Sequence, residues 1–163
     1  MAAEEAAQVE TPLEVKEPLQ VTVVGVKGDE LKNVEFALTL PVGLVHEGKV
    51  DSLWLERFKN QVPDKVRLAL EPFGYYEVQT KVSLETVDEG IYRLHVEVKP
   101  GKPVLVTSVK VSIRGQGAEE KVLRELLEAF PLKEGDVLLH QKYEEAKGNL
   151  KTETFNLGYL DAD

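Results

Sequence analysis

Three histidines, His46, His95 and His140, are the side chains in this sequence best suited to proton transfer near neutral pH. Acid–base or nucleophilic chemistry would require each to sit beside a nucleophile or an orienting carboxylate. No recognisable spacing supplies one. His46 falls in the Pro- and Gly-containing stretch PVGLVHEGK (41–49), His95 on the wet side of an alternating segment, and His140 just before a helix-like run. With no cysteine, the chain has no thiol nucleophile, disulfide or thiolate metal site. Its 29 Asp and Glu residues include no Asp-x-Asp-x-Asp-Gly calcium loop. The Gly-Asp pairs in VKGDE and KEGDV read as turn chemistry, and there is no Gly-rich phosphate loop. The chain is therefore not expected to be an enzyme, and no cofactor or metal is expected.

Composition narrows the remaining classes. The 163 residues can hold one medium domain or two small ones, and a hydrophobic fraction of 42% suits a globular protein. A net charge of −9 argues against nucleic-acid partners and anionic membrane surfaces, which need clustered Lys and Arg. No apolar run approaches the ~20 residues of a membrane span. The opening MAAEEAAQVETPLEVKEP (1–18) lacks the basic start and apolar centre of a signal peptide and reads as a flexible acidic lead-in. For an exported protein, the signal would be absent from this chain.

The elements that would position a binding surface follow from periodicity. LQVTVVGV (19–26) is a β-branched strand closed by Gly25. Asp29 is placed to cap a short helix with Leu31, Val34 and Leu38 on one face. Residues 41–49 form a loop. Asp51 or Ser52 starts a second helix with Phe58, Val62, Val66, Leu70 and Phe73 inward; Pro63 inside it predicts a kink or break, and Pro72 and Gly74 end it. From Tyr75 the period becomes two, with Tyr76, Val78, Val82 and Leu84 on one side. VDEG (87–90) turns the chain. The return strand puts Tyr92, Leu94, Val96 and Val98 inward and Arg93, His95, Glu97 and Lys99 outward. Tyr75 and Tyr76 read as packing where helix meets sheet, and Trp54 as core or half-exposed helix surface.

After the corner PGKP (100–103) the order restarts. VLVTSVKVSIRGQG (104–117) reads as a strand with Val109, Val111 and Ile113 on one face. AEEKVLRELLEAF (118–130) reads as a helix with Glu119 and Glu120 in its first turn, burying Val122, Leu123, Leu126, Leu127 and Phe130. PLKEGDVL (131–138) reads as a loop, and a long helix follows with Tyr143, Ala146, Leu150 and Leu157 on one side, ending at Gly158. The strand-closing glycines, 25 and 115, are 90 residues apart; the helix-ending glycines, 74 and 158, are 84 apart. That is an internal repeat of pattern rather than identity.

Tandem β-α-α-β-β units of this size resemble POTRA (polypeptide-transport-associated) domains. The resemblance rests on the strand endings Val21-x-Val23-x-Gly25 and Val111-x-Ile113-x-Gly115, on KEGD (133–136), on the helix ending NLGYLDA, and on the junction VEVKPGKPVLVTSVKVSIRG (96–115). PFGYYEVQTKVSL and the junction are most similar to the N-terminal POTRA domains of TamA-type outer-membrane proteins, over roughly residues 19–163. The implied fold is α+β, tandem POTRA domains, each a three-stranded mixed sheet with two helices on one face. The boundaries are 1–18 lead-in, 19–100 first domain and 101–163 second domain. The second would lack its C-terminal hairpin, leaving Val104–Arg114 without a partner in its own domain. It is then expected to be mobile or to pair with another chain, and the stop after Gly158-Tyr159 reads as a fragment boundary.

The resemblance further implies a periplasmic extension of an outer-membrane β-barrel, the barrel itself being absent from this chain. The implied partners are a TamB-like inner-membrane-anchored protein and unfolded outer-membrane protein clients. POTRA units also occur in two-partner secretion transporters and cell-division proteins, so the system stays open at this stage. For binding, the β-α-α-β-β order is expected to make the last strand central and to leave Tyr75–Thr86 at a sheet edge. Tyr76, Val78, Thr80, Val82 and Leu84 are then the candidate partner-binding residues, acting by strand addition. The opposing reading is that Glu77, Lys81 and Glu85 guard that edge.

Overall fold

A computed structural model of the chain describes residues 17–160. The lead-in expected over 1–18 therefore lies outside the described residues except for its last two. Of these, Pro18 offers its carbonyl to the Tyr92 N–H at 2.9 Å.

The first half builds an α+β body. Strand β1 (Leu19–Val24) leads through Gly25 into helix α1 (Gly28–Ala37). The expected Asp29 cap is not formed. Lys27 holds the cap position without a side-chain bond, and Asp29 lies inside the first turn, where it pairs with Lys32 at 2.9 Å. Val34 and Leu38 are buried and Leu31 is half-buried, as their spacing dictates. The loop at 41–49 has more structure than its composition implies. A tight hairpin, β2 (Val45–His46) with β3 (Lys49–Val50), turns across Glu47 and Gly48. It seats Leu44 in the core, and the Leu44 carbonyl accepts the Asp51 N–H at 3.0 Å.

Helix α2 (Ser52–Leu70) starts where expected: the Asp51 carboxylate accepts the Trp54 N–H at 2.9 Å. Asp51→Ala is expected to destabilise the protein by about 1 kcal/mol, readable as a lower urea midpoint with unchanged slope. Pro63 neither ends nor interrupts the helix. It sits on the exposed side, where water can reach the Lys59 carbonyl that its missing N–H leaves unpaired. The inward face, Leu55, Phe58, Val62, Val66, Ala69 and Leu70, is fully buried. A single 3-10 turn (Glu71–Phe73) and Gly74, at φ 85°, close the helix.

Strand β4 (Gln79–Asp88) and strand β5 (Ile91–Lys99) form an antiparallel hairpin, and β1 joins β5 in parallel, giving the order β1–β5–β4. The last strand is central, as the unit order predicts. Its Leu94, Val96 and Val98 are buried under α1 and α2, and Val21 and Val23 stand opposite Leu94 and Val96. Strand β4 begins at Gln79 rather than Tyr75 and runs to Asp88 rather than Thr86.

The second half departs further from its sequence reading. Residues 104–117 form no strand; the segment is held by one antiparallel bridge, Leu105 to Val137. A strand needs a neighbour to bond, and Val109 and Val111 stay exposed. The helix expected over 118–130 divides into a 3-10 turn (Gln116–Glu119) and helix α3 (Lys121–Glu128). Glu120 becomes the cap residue, so neither Glu119 nor Glu120 is in the first turn of α3. Leu123 is buried and Val122 exposed. Helix α4 (His140–Asn156) buries no side chain, and Tyr143 and Leu157, expected inward, are exposed. Among the described residues, no helix is long and apolar enough to cross a membrane.

Candidate functional site: an open sheet edge

Among the described residues, the outer side of β4 pairs with no strand. That leaves a row of backbone N–H and C=O groups on a ten-residue strand. Sequence alternation sorts its side chains. Val78, just before the strand, and Val82 and Leu84 within it are half-buried against the core. Thr80 shares their face. Its hydroxyl oxygen is buried and has no hydrogen-bond partner among the described residues. The fifth expected residue, Tyr76, is not on this face. It lies ahead of the strand, 39% exposed, and its hydroxyl meets His140 Nε2 at 2.6 Å with the two rings tilted, centroids 6.2 Å apart. The strand starts at Gln79, four residues later than the alternation from Tyr75 implies, so Tyr76 falls outside the pleat.

Two of the three charged residues of β4 face opposite charges within the sheet. Lys81 stands opposite Glu97 and Glu85 opposite Arg93 across the β4/β5 ladder. Opposite charges in such positions support pairing. These side chains belong to the internal cross-strand set with the outward Arg93, His95 and Glu97, and Glu77 precedes the strand. What blunts the edge locally is a register shift between Thr86 and Asp88, confined to the turn end.

Two tyrosines stand at matching places in the internal repeat. Tyr75 packs on the core. Burial pushes its hydroxyl pKa above the usual value, with the Glu30 carboxylate adding to the shift. Tyr159 gives its hydroxyl to Glu120 at 3.1 Å, and that bond, ahead of burial, raises its pKa in the same direction. Glu30 follows Gly25 by five residues and Glu120 follows Gly115 by five; each tyrosine follows a helix-ending glycine by one. The two tyrosine–glutamate pairs thus stand at equivalent places in the two copies, with the hydrogen bond formed in the second. The equal offsets are visible in the sequence and were the available signal for it.

The halves meet at a stitched corner. The Gly74 carbonyl accepts the Val104 N–H at 2.8 Å, and the Val104 carbonyl accepts the Leu138 N–H at 3.0 Å. Val106 exchanges bonds with the 135–136 turn, accepting from Gly135 and donating to Asp136, both at 2.8 Å. A side chain at Gly74 would stand 3.0 Å from the Leu138 carbonyl oxygen, so glycine serves both the left-handed backbone and the close approach there.

The three histidines lie on different elements, β2, β5 and α4, and no group of His, Asp and Glu among the described residues could hold a metal ion. The comparison with known families decides between an orphan α+β fold and a recognised one. The profile described as POTRA domain TamA domain 1 matches residues 20–100, and that described as surface antigen variable number repeat, a POTRA family, matches residues 106–163.

The chain belongs to the POTRA superfamily.

The first match spans β1 to β5 and the second begins at the stitched corner, so the POTRA matches follow the internal repeat. The first POTRA match is to the TamA type, the type found in outer-membrane assembly proteins. POTRA domains are non-catalytic scaffolds in such factors.

Proposed function

We propose that this chain is the periplasmic POTRA region of a TamA-type outer-membrane barrel protein, a docking module in outer-membrane protein assembly and translocation. Its two units, 19–100 and 101–163, follow the lead-in 1–18. Binding is by strand addition to the open side of β4, with Val78, Thr80, Val82 and Leu84 beneath the added strand and Tyr76 at its entrance. The partners are a TamB-like inner-membrane-anchored protein and unfolded outer-membrane protein clients. The observation that carries this reading is a ten-residue outer strand whose inward residues are only half-buried and whose Lys81 and Glu85 already face opposite charges on β5. An added strand would satisfy the free backbone groups and finish the burial.

Hydrogen exchange of the chain with a C-terminal fragment of a TamB-like protein tests this. Slowed exchange along Gln79–Asp88, at every second amide, is the expected result. Slowing confined to α3 and α4, with β4 unchanged, would remove strand addition from the account.

A further inference from the structure

We infer that two copies of this chain associate through residues 107–114, each segment supplying the strand neighbour that the other lacks, in an antiparallel pair centred on Val111. The surface lies on the second half of the chain and is independent of strand addition at β4. The partner is a second copy of the same chain.

The argument starts from backbone groups that can be reached. Among the described residues, Thr107 to Arg114 make no backbone hydrogen bond, although Val104 and Val106 just before them make two each. All of these residues are exposed except Ile113, which is half-buried, so their free N–H and C=O groups are open to another chain. The segment alternates as a strand does, with Val109, Val111 and Ile113 on one side and Ser108, Lys110, Ser112 and Arg114 on the other. Its apolar side faces α3. Val109 and Val111 border an open groove with Leu127, Phe130 and Leu132, while Ile113 and Leu123 both approach Gly117. Val109 and Val111 are still 37% and 39% exposed, so this apolar side is unfinished.

Register selects a second copy as the occupant. A two-fold axis normal to an antiparallel pair keeps the same residues on the same face in both copies. Centred on Val111, such a pair sets Val109 opposite Ile113, Val111 opposite itself, Lys110 opposite Ser112 and Ser108 opposite Arg114. Apolar side chains meet apolar ones, and no like charges are opposed. Centring on Lys110 would oppose two lysines, and centring on Ser112 would oppose Lys110 and Arg114, both destabilising. In the favoured register α3 of each copy covers the shared apolar face from the same side. That cover supplies the helix packing without which a two-stranded ribbon is marginal.

Sedimentation of the whole chain over a range of concentrations reads the association, and hydrogen exchange at high and low concentration locates it. A concentration-dependent dimer is expected, with slowed exchange at alternate residues of the 107–114 segment. Val111→Lys brings two lysines together at the axis and is expected to weaken the dimer about a hundredfold. Ser112→Glu sets a carboxylate opposite Lys110 in both halves of the pair and is expected to tighten the dimer about fivefold, while Ser112→Lys weakens it by as much. A chain that stays monomeric at every concentration would overturn the inference. So would a dimer equally tight in the glutamate and lysine variants, which would mean apolar association without this register. Slowed exchange along Gln79–Asp88 in place of the 107–114 segment would assign the dimer to the β4 edge and overturn it as well.

Discussion

Gly25→Ala is expected to destabilise the protein by about 3 kcal/mol or more, because two independent penalties coincide at one atom. Gly25 takes φ 102°, which L-residues with a side chain rarely adopt, and its missing Cβ would lie 1.9 Å from the Val98 carbonyl oxygen. That oxygen belongs to the central strand, which cannot retreat without breaking its ladders to β1 and β4. The residue is a glycine because the chain leaves β1 by crossing close over the end of β5 on its way to α1. Urea unfolding followed by far-UV circular dichroism reads the effect. A midpoint within the error of the parent would mean that β5 yields at Val98 far more easily than a central strand should.

Phe58→Ala carries the other large expected effect, a loss of about 3–5 kcal/mol. Phe58 is 2% exposed and is the largest of the fully enclosed side chains, on the α2 face that also buries Leu55 and Val62. Truncation removes its transfer free energy and opens a cavity that a helix packed on a sheet cannot close by local shifts. Leu68→Ala provides the control on the same helix. Leu68 is 56% exposed, so its removal is expected to change stability by no more than about 0.5 kcal/mol. A similar loss at both positions would mean that burial does not set the cost of truncation on α2, since alanine itself favours the helix.

The contrast between Phe58 and Leu68 also shows why much of this fold could be read in advance. Where the sequence pattern confines burial to one side, apolar every three or four residues in α2 and every two in β5, the core has no other way to assemble. Val34, Val66, Leu94 and Val96 are all fully enclosed as expected. The failures sit where a segment's conformation depends on what it touches. Val104–Arg114 has strand composition but, among the described residues, only the bridge at Leu105 to pair with, so it forms no strand. Tyr76 continues the alternation of β4 in sequence, yet its hydroxyl is drawn to His140, a residue 64 positions away that no local pattern connects to it. Pro63 keeps α2 intact because its missing bond faces water, a fact about orientation rather than identity. Of the candidate edge, the strand, its alternation and its place at the rim were legible. The hydroxyl of Thr80, without a hydrogen-bond partner among the described residues, was not, since that depends on how β4, β5 and α2 pack around it.

The stitched corner has a mechanical consequence. Val104 is bonded to Gly74 on one side and Leu138 on the other, and Tyr76 meets the first residue of α4. A pull applied through the second half is therefore not taken up by slack in the PGKP corner. It loads the C-terminal end of α2 and the approach to β4 directly, through backbone hydrogen bonds. Tension on one half is transmitted to the root of the strand that the other half holds open.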